Sequence, residues 1–274
     1  MAVPGSESES GSGSPGGARL RRAREEAGRT QLWVELEAGL GTGYLQRLES
    51  GRVAQPARAT LDRILTALEA SYNVRQEVMQ LFGYTVPTNP PDERERQWAR
   101  ELAGPQIAAF PFPAYALDCR HRLVAWNAAL EQLLGRGPDD PIYRELQERS
   151  ILAVWFEPES ILGEMVADPE HFLAALVLAF RYEMQRFRDE PWAREVIAEM
   201  RAIPLFERYW QVTMDRPAVV SAARALLPLA LRTRAGQSFS FRLSSEPFVD
   251  DARFRIVYYF PDDVPTMTAF KRER

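Results

Sequence analysis

Residues 30–51 read TQLWVELEAGLGTGYLQRLESG, and the fold of the first part of the chain turns on this stretch. Apolar or small residues fall at Val34, Ala38, Leu40, Leu45 and Leu48, and Gly39 stands between two short helical patterns. Two helices meeting at a steep angle need a tight turn, and glycine suits a turn that a Cβ would crowd. The pattern predicts a helix–turn–helix corner, the geometry that can lay a second helix into the major groove of DNA.

Working outward, Leu20, Ala23 and Ala27 predict a first helix that ends near Gly28, and Thr30 is placed to cap the second. The third is expected from Thr42 to Ser50, stopped by Gly51. Leu61, Ile64, Leu65 and Leu68 mark a fourth by their 3.6-residue spacing, and Val74, Val78, Leu81 and Phe82 a fifth. Residues 1–17 carry almost nothing to bury and are expected to be disordered. Pro87, Pro90 and Pro91 predict a linker, followed by a charged helical connector from Glu93 to Leu102. The expected division is a tail (1–17), a helix–turn–helix domain (18–84), linker and connector (85–110), a second domain (111–262) and a short tail (263–274).

The second domain opens with two predicted strands, Pro113 to Leu117 and Leu123 to Trp126, with Asp118 to Arg122 turning between them. Asn127 is placed to cap a short helix that Gly135 ends. The middle, Pro141 to Leu227, has helical stripes: Phe172, Leu176, Phe180, Met184 and Phe187; then Trp192, Val196 and Met200; then Phe206, Trp210 and Met214. Strands return at Leu229 to Thr233 and where Phe239, Phe241 and Leu243, then Phe254, Ile256, Tyr258 and Phe260, alternate with their neighbours. Strands, helices and strands again predict an α+β class: an all-α head, then an antiparallel sheet with a large helical insertion and helices on one face. The chain shows no internal repeat.

Composition narrows the function. A net charge of −4 over 274 residues makes the whole chain no electrostatic sponge for nucleic acid, so any DNA contact must be a local patch. One cysteine, Cys119, excludes an internal disulfide and a Cys-based zinc site. Two histidines, His121 and His171, are too few for a His-rich metal cluster. No apolar run is long enough to span a membrane, and the first residues lack a signal-peptide core, so a soluble cytoplasmic protein is expected. There is no G-x-S-x-G, P-loop or dinucleotide glycine fingerprint, and the paired carboxylates Asp139–Asp140, Asp250–Asp251 and Asp262–Asp263 lie beside turn residues, so no enzyme is expected.

Leu20, Arg24, Thr30, Gln31, Val34, Ala38, Gly39, Tyr44, Leu45, Leu48, Glu49 and Gly51 stand in register with the XRE-type, phage-repressor-like helix–turn–helix, which this quarter of the chain resembles. The resemblance implies operator DNA as partner, with Gln31 at the backbone or a base and Thr42, Gly43, Gln46 and Arg47 facing the groove. Glutamine can pair with adenine, and arginine can pair with guanine or grip phosphate. Arg21, Arg22, Arg24 and Arg52 would add positive charge near the backbone; a solvated helix face is the competing reading for each. Two features depart from the family. Glu35 stands where a small residue usually packs against the turn, and Gly41 and Gly43 are expected to weaken the start of the third helix by roughly 1 kcal/mol each. Such modules commonly recover affinity by dimerising, so a homodimer is expected.

Asp118, Asn127 and the pair Leu134–Gly135 resemble the opening of a PAS domain. With the XRE head, Phe156-Glu-Pro158, Pro204-Leu-Phe followed by Trp210, and the C-terminal hairpin, most of the chain after Gly17 resembles the MmyB-like transcription regulators, without their usual His-Pro segment. That implies a PAS-like domain with a pocket for a small-molecule effector and no obligatory cofactor. The candidate lining is Trp126, Trp155, Phe180, Phe206, Trp210, Phe241 and Tyr258, with Arg242 or Arg255 to hold a carboxylate at the mouth. A long-chain acyl compound such as a fatty acid would suit it. Against this, most of these rings are expected to be plain core, and the alternative function for the domain is a dimerisation or protein-partner module with no small ligand. Flavin chemistry of the light-sensing kind is not expected of Cys119, nor haem ligation of His171, which begins a helix. The operator, the ligand and the sense of regulation are not written in the sequence.

Overall fold

The Oγ1 of Thr30 accepts the Trp33 N–H at 3.1 Å and so starts helix α2 (Gln31–Glu37), as its position before an apolar pattern predicts. In this computed structural model, which describes residues 14–214 and 227–270, α2 is one of five helices in the first of two units. The others are α1 (Pro15–Glu26), α3 (Tyr44–Glu49), α4 (Arg58–Ala67) and α5 (Tyr72–Leu81). Val34, Ala38, Leu45, Leu48, Leu61, Ile64 and Leu65 are buried together, with Leu20 from α1 and Val78 from α5. Gly39 has φ +60°, so the turn between α2 and α3 uses the left-handed backbone that glycine adopts without strain.

Two boundaries differ from expectation here. Disorder is expected through Gly17, but Pro15, Gly16 and Gly17 belong to α1, and both glycines are buried. A Cβ on Gly17 would stand 2.5 Å from the Leu48 carbonyl oxygen, so this turn of helix lies directly on backbone and only glycine fits. The third helix starts at Tyr44, not Thr42, because Gly43 at φ +77° is its cap and lies outside it. The rest of the expected tail, residues 1–13, lies outside the described residues.

The second unit covers residues 88–248 and 252–274. Its five strands are β1 (Ala114–Asp118), β2 (Leu123–Trp126), β3 (Leu227–Arg232), β4 (Ser238–Pro247) and β5 (Phe254–Pro261). They form one antiparallel sheet in the order β2-β1-β5-β4-β3. The α+β class holds, but both faces of the sheet are covered. On one, helix α6 (Glu93–Ala109) buries Ala99, Ala103 and Ile107 against Ala114, Ala116, Val124 and Ile256. The connector therefore runs past Leu102 and packs as part of the domain. On the other face Tyr115, Leu117, Val257 and Tyr259 meet the helical insertion.

The insertion consists of α7 (Ala128–Leu134), α8 (Pro141–Glu148), α9 (Ile151–Trp155), α10 (Ile161–Met165), α11 (Pro169–Gln185), α12 (Pro191–Arg201) and α13 (Pro204–Val212). The three aromatic stripes map onto α11, α12 and α13, with Phe187 and Met214 just beyond the helix ends. The last part of the expected helical middle, 215–226, lies outside the described residues. Asn127 caps α7 as expected and does more. Its carbonyl oxygen accepts the Leu130 and Ala114 N–H groups, and its amide nitrogen stands 2.8–3.2 Å from the carbonyls of Ile107, Phe110 and Phe112. Of the expected tail after Asp262, Val264–Ala269 form a helix, α14, whose cap Asp263 accepts the Thr266 N–H, and residues 271–274 lie outside the described residues. Phe270 is buried beyond it, its ring against those of Phe239 and Phe241.

Candidate functional site

The candidate DNA edge is the exposed side of α3. Thr42, Gln46, Arg47 and Arg52 are exposed, Gly43 half so. Arg47 lies over the Tyr44 ring at 5.9 Å. Gln31 and Arg24 are held from behind by Glu49, which is buried: the Gln31 amide donates to it at 2.8 Å and the Arg24 guanidinium at 2.7 and 3.1 Å. Arg24 is thus committed to joining α1 to α3, where loose positive charge was expected. Arg21 pairs with Glu25 on its own helix. A shallow depression lined by Arg21, Arg29, Thr30, Gln31 and Gln46 opens beside this edge.

Glu35 overturns the expected weakness of the corner. It is 3% exposed, and its carboxylate accepts the N–H of Gly43 at 3.0 Å and of Leu45 at 2.8 Å. Glycine at the cap of α3 has no side chain to take the Leu45 N–H; Glu35 supplies that acceptor from α2 and accepts the cap's own N–H as well. Gly43 carries no helix-interior penalty because it sits outside the helix in a conformation glycine favours.

The second candidate site is a cavity of about 680 Å³ between the sheet and the helices of the insertion. Leu152, Trp155, Phe172, Leu176 and Phe180 wall one side, and Leu117, Leu243 and Val257 the other. Among the polar residues at the cavity, which also include the exposed Arg186 and Arg188 and Ser244 and Ser245, three form a buried or half-buried cluster. The Asp118 turn builds its first member: the Asp118 carboxylate accepts the N–H groups of Arg120 and Arg122 at 2.9 and 3.0 Å. That tight turn puts His121 at φ +62°, an uncommon conformation for a non-glycine residue, and buries it. Its Nε2 lies 2.9 Å from Glu183 Oε2 on α11. Arg255 on β5, 4% exposed, pairs through Nη1 with that same oxygen.

Burial alone would raise the Glu183 carboxyl, but Arg255 and the hydrogen bond to His121 outweigh it and hold Glu183 well below the ordinary carboxylate range. Burial lowers His121, and its bond to Glu183 offsets that only in part. Burial pushes the Tyr115 hydroxyl, 3.5 Å from that of Tyr259, up to about 12. His121 Nδ1 and Arg255 Nε and Nη2 are buried with no hydrogen-bond partner.

Of the nine candidates for a pocket, the structure brings three to this cavity: Trp155, Phe180 and Arg255. The period of the sheet explains two of the others. Arg255, Val257 and Tyr259 share one face, so Tyr258 points to the other, where its ring meets Phe110 at 4.9 Å. Arg242 points away from the inward Phe241 and pairs with Asp262 at 2.8 Å on the surface. Phe241 is core against Tyr259 and Phe270. Phe206 packs behind Phe180 and against Phe156, and Trp210 lies outside it between the guanidinium groups of Arg181 and Arg201. Trp126 stacks on Tyr143 with its indole N–H on Glu131. Sequence reading missed His121 and Glu183. Glu183 had a signal: it falls three residues after Phe180 and seven after Leu176, an acid on an apolar helical stripe.

A larger groove, about 940 Å³, is open and ringed by Arg136, Asp140, Glu145, Glu157 and Arg234. Among the described residues no group of three His, Cys, Asp or Glu side chains could hold a metal ion, and no helix is long and apolar enough to cross a membrane. His171 is exposed beside Asp168, which caps α11.

Comparison with known proteins accords with both halves. The family model for the MmyB-like transcription regulator ligand binding domain matches residues 107–271. A helix-turn-helix domain model matches residues 17–78. No curated protein matches the chain. A solved structure titled "Structure of an RNA-binding Light-Oxygen-Voltage Receptor" is similar at 13% identity and a TM-score of 0.28, over 98% of this chain and 67% of that one.

Proposed function

The chain belongs to the MmyB-like transcription regulators, and from that premise we propose that it is a one-component sensor whose DNA affinity follows a small, mainly apolar effector. A helix–turn–helix head and a ligand-binding domain make it a DNA-binding transcription regulator. The finer reading rests on one observation: a cavity walled by aliphatic and aromatic side chains ends at a buried arginine with two unpartnered nitrogens. Pockets of this volume that combine an apolar wall with polar groups to fix orientation suit drug-sized molecules. A fatty acid fits the lining, its chain among Leu152, Trp155 and Phe172 and its head toward Arg255. Ligands of this kind change DNA binding only by preferring one arrangement of the protein over another.

The same reading makes the protein a homodimer on a two-fold operator, with the α3 edge of each copy in successive major grooves. Thr42, Gln46 and Arg47 read bases, and Arg52 and the N-terminus of α2 meet phosphate. Selection of bound sequences from a random DNA pool, with and without added dodecanoate, tests the whole. A recovered two-fold motif whose affinity changes with dodecanoate supports the reading. A motif bound equally well in both arms removes the switch and leaves the dimerisation or protein-partner alternative for the second domain. Affinity should fall steeply with salt as phosphate contacts release counterions.

A further inference from the structure

We propose that the cavity accepts a carboxylic head group only together with one proton, seated between Arg255 and His121. The inference rests on the acyl-ligand reading above and adds the ligand's charge state and a residue that enforces it.

The geometry is that of an incomplete network. His121 Nε2 and Arg255 Nη1 converge on one oxygen of Glu183. Glu183 is ionised and can only accept, so Nε2 must carry the imidazole hydrogen. Neutral His121 is then left with a bare acceptor at Nδ1, buried and unpartnered. The free nitrogens of Arg255, Nε and Nη2, form the edge of a guanidinium that grips a carboxylate with two parallel N–H bonds. One group therefore offers donors and the other an acceptor, and a head group meeting both must accept and donate. A carboxylic acid does so; a bare carboxylate does not.

Charge leads to the same result. Within the cluster Glu183 already balances Arg255, so a carboxylate seated between Arg255 and His121 adds one negative charge there; Arg186 and Arg188, the other arginines on the cavity lining, are exposed. A proton restores neutrality, whether it resides on the ligand oxygen or on Nδ1. The charged and titratable groups facing His121 are Glu183 from α11, Arg255 from β5 and Asp118 from its own turn. From α11 the Phe180 ring also packs on it at 5.4 Å, and from α9 the Ile151 N–H meets its backbone carbonyl; Arg186 and Arg188 line the same cavity and are exposed. Asp118 and Glu183 both favour the imidazolium once a ligand anion arrives.

The test is calorimetric titration of the full-length protein with dodecanoate and with 1-dodecanol, in buffers of different ionisation enthalpy, from pH 6.5 to 8.5. Dodecanoate is ionised throughout that range. Uptake of one proton per dodecanoate, and an affinity falling about tenfold per pH unit, are expected. Dodecanol carries its own hydrogen and should bind without dependence on pH. In H121N the dependence for dodecanoate should vanish; asparagine tolerates the left-handed backbone of this position, so the turn survives. Dodecanoate binding with no proton uptake overturns the inference and leaves the acyl reading standing. PH dependence that persists in H121N overturns the assignment to His121. Failure of both probes to bind at any pH overturns the acyl reading, and this inference with it.

Discussion

Buried or half-buried acids anchor polar groups in both units, and those groups are completed to different degrees. In the helical unit Glu35 spends its oxygens on two backbone N–H groups, and Glu49 is met by Arg24 and Gln31. In the cavity Glu183 is met by His121 and Arg255, yet three of their nitrogens face no partner. A satisfied network fixes one structure, whereas a partly satisfied one costs stability until something completes it. The first kind of network holds the start of α3, and the second, on the reading proposed above, is the kind a ligand would complete.

The contrast breaks most sharply at Glu183. Replacing it by alanine strands the buried Arg255 guanidinium, and chemical denaturation should show a loss of about 3–5 kcal/mol. A loss below about 1 kcal/mol would mean that the cluster is already hydrated and is no different in kind from a surface pair. Next in size is E35A, which leaves two N–H groups at the start of α3 without an acceptor and should cost about 1–3 kcal/mol. E35Q keeps one acceptor oxygen and should recover part of it. Faster amide exchange at Gly43 and Leu45 would place the loss at the cap.

A smaller effect separates the networks by pH. His121 titrates lower in the folded chain than in the unfolded one, chiefly through burial. Above about pH 6.5 both forms are neutral there and the group contributes no slope. As pH falls below that, the unfolded chain takes up a proton that the folded chain refuses. Stability of the ligand-free protein should therefore drop by up to about 1.4 kcal/mol per unit as pH falls below about 6.5. Glu183, held low in the fold, adds its own loss only below about pH 4.5. A flat profile in H121N over the upper window would assign the slope. Smallest of all is R242A: its pair with Asp262 is exposed, and dodecanoate affinity should be unchanged.

The helical unit was legible because its signals are local. Thr30, Gly39 and the 3.6-residue spacing each act within a few residues, and the corner, α4 and α5 stand where they predict. Asp118, Asn127 and Gly135 carried the strand–turn–strand–helix opening of the second unit for the same reason. The cavity was less legible because its members lie far apart in sequence. His121, Glu183 and Arg255 are brought together by a turn, a helix and the last strand. Aromatic content marked the right domain and could not tell Phe180, at the cavity, from Phe206 behind it. Strand parity would have separated Arg255 from Arg242 and Tyr258. Glu35 was misjudged because its role depends on the neighbouring helix's lack of a capping side chain, a relation between two elements.

Phe270 bears on how this protein can be handled at the bench. Its ring fills the space between Phe239 and Phe241, a burial that contributes about 1.5–3 kcal/mol. Trimming the chain after Asp262, where the final strand has just finished, would uncork that corner and expose two phenylalanines of β4 to water. A shortened version made for crystallisation would thus be prone to clump, while one that keeps the sequence through Phe270 would not.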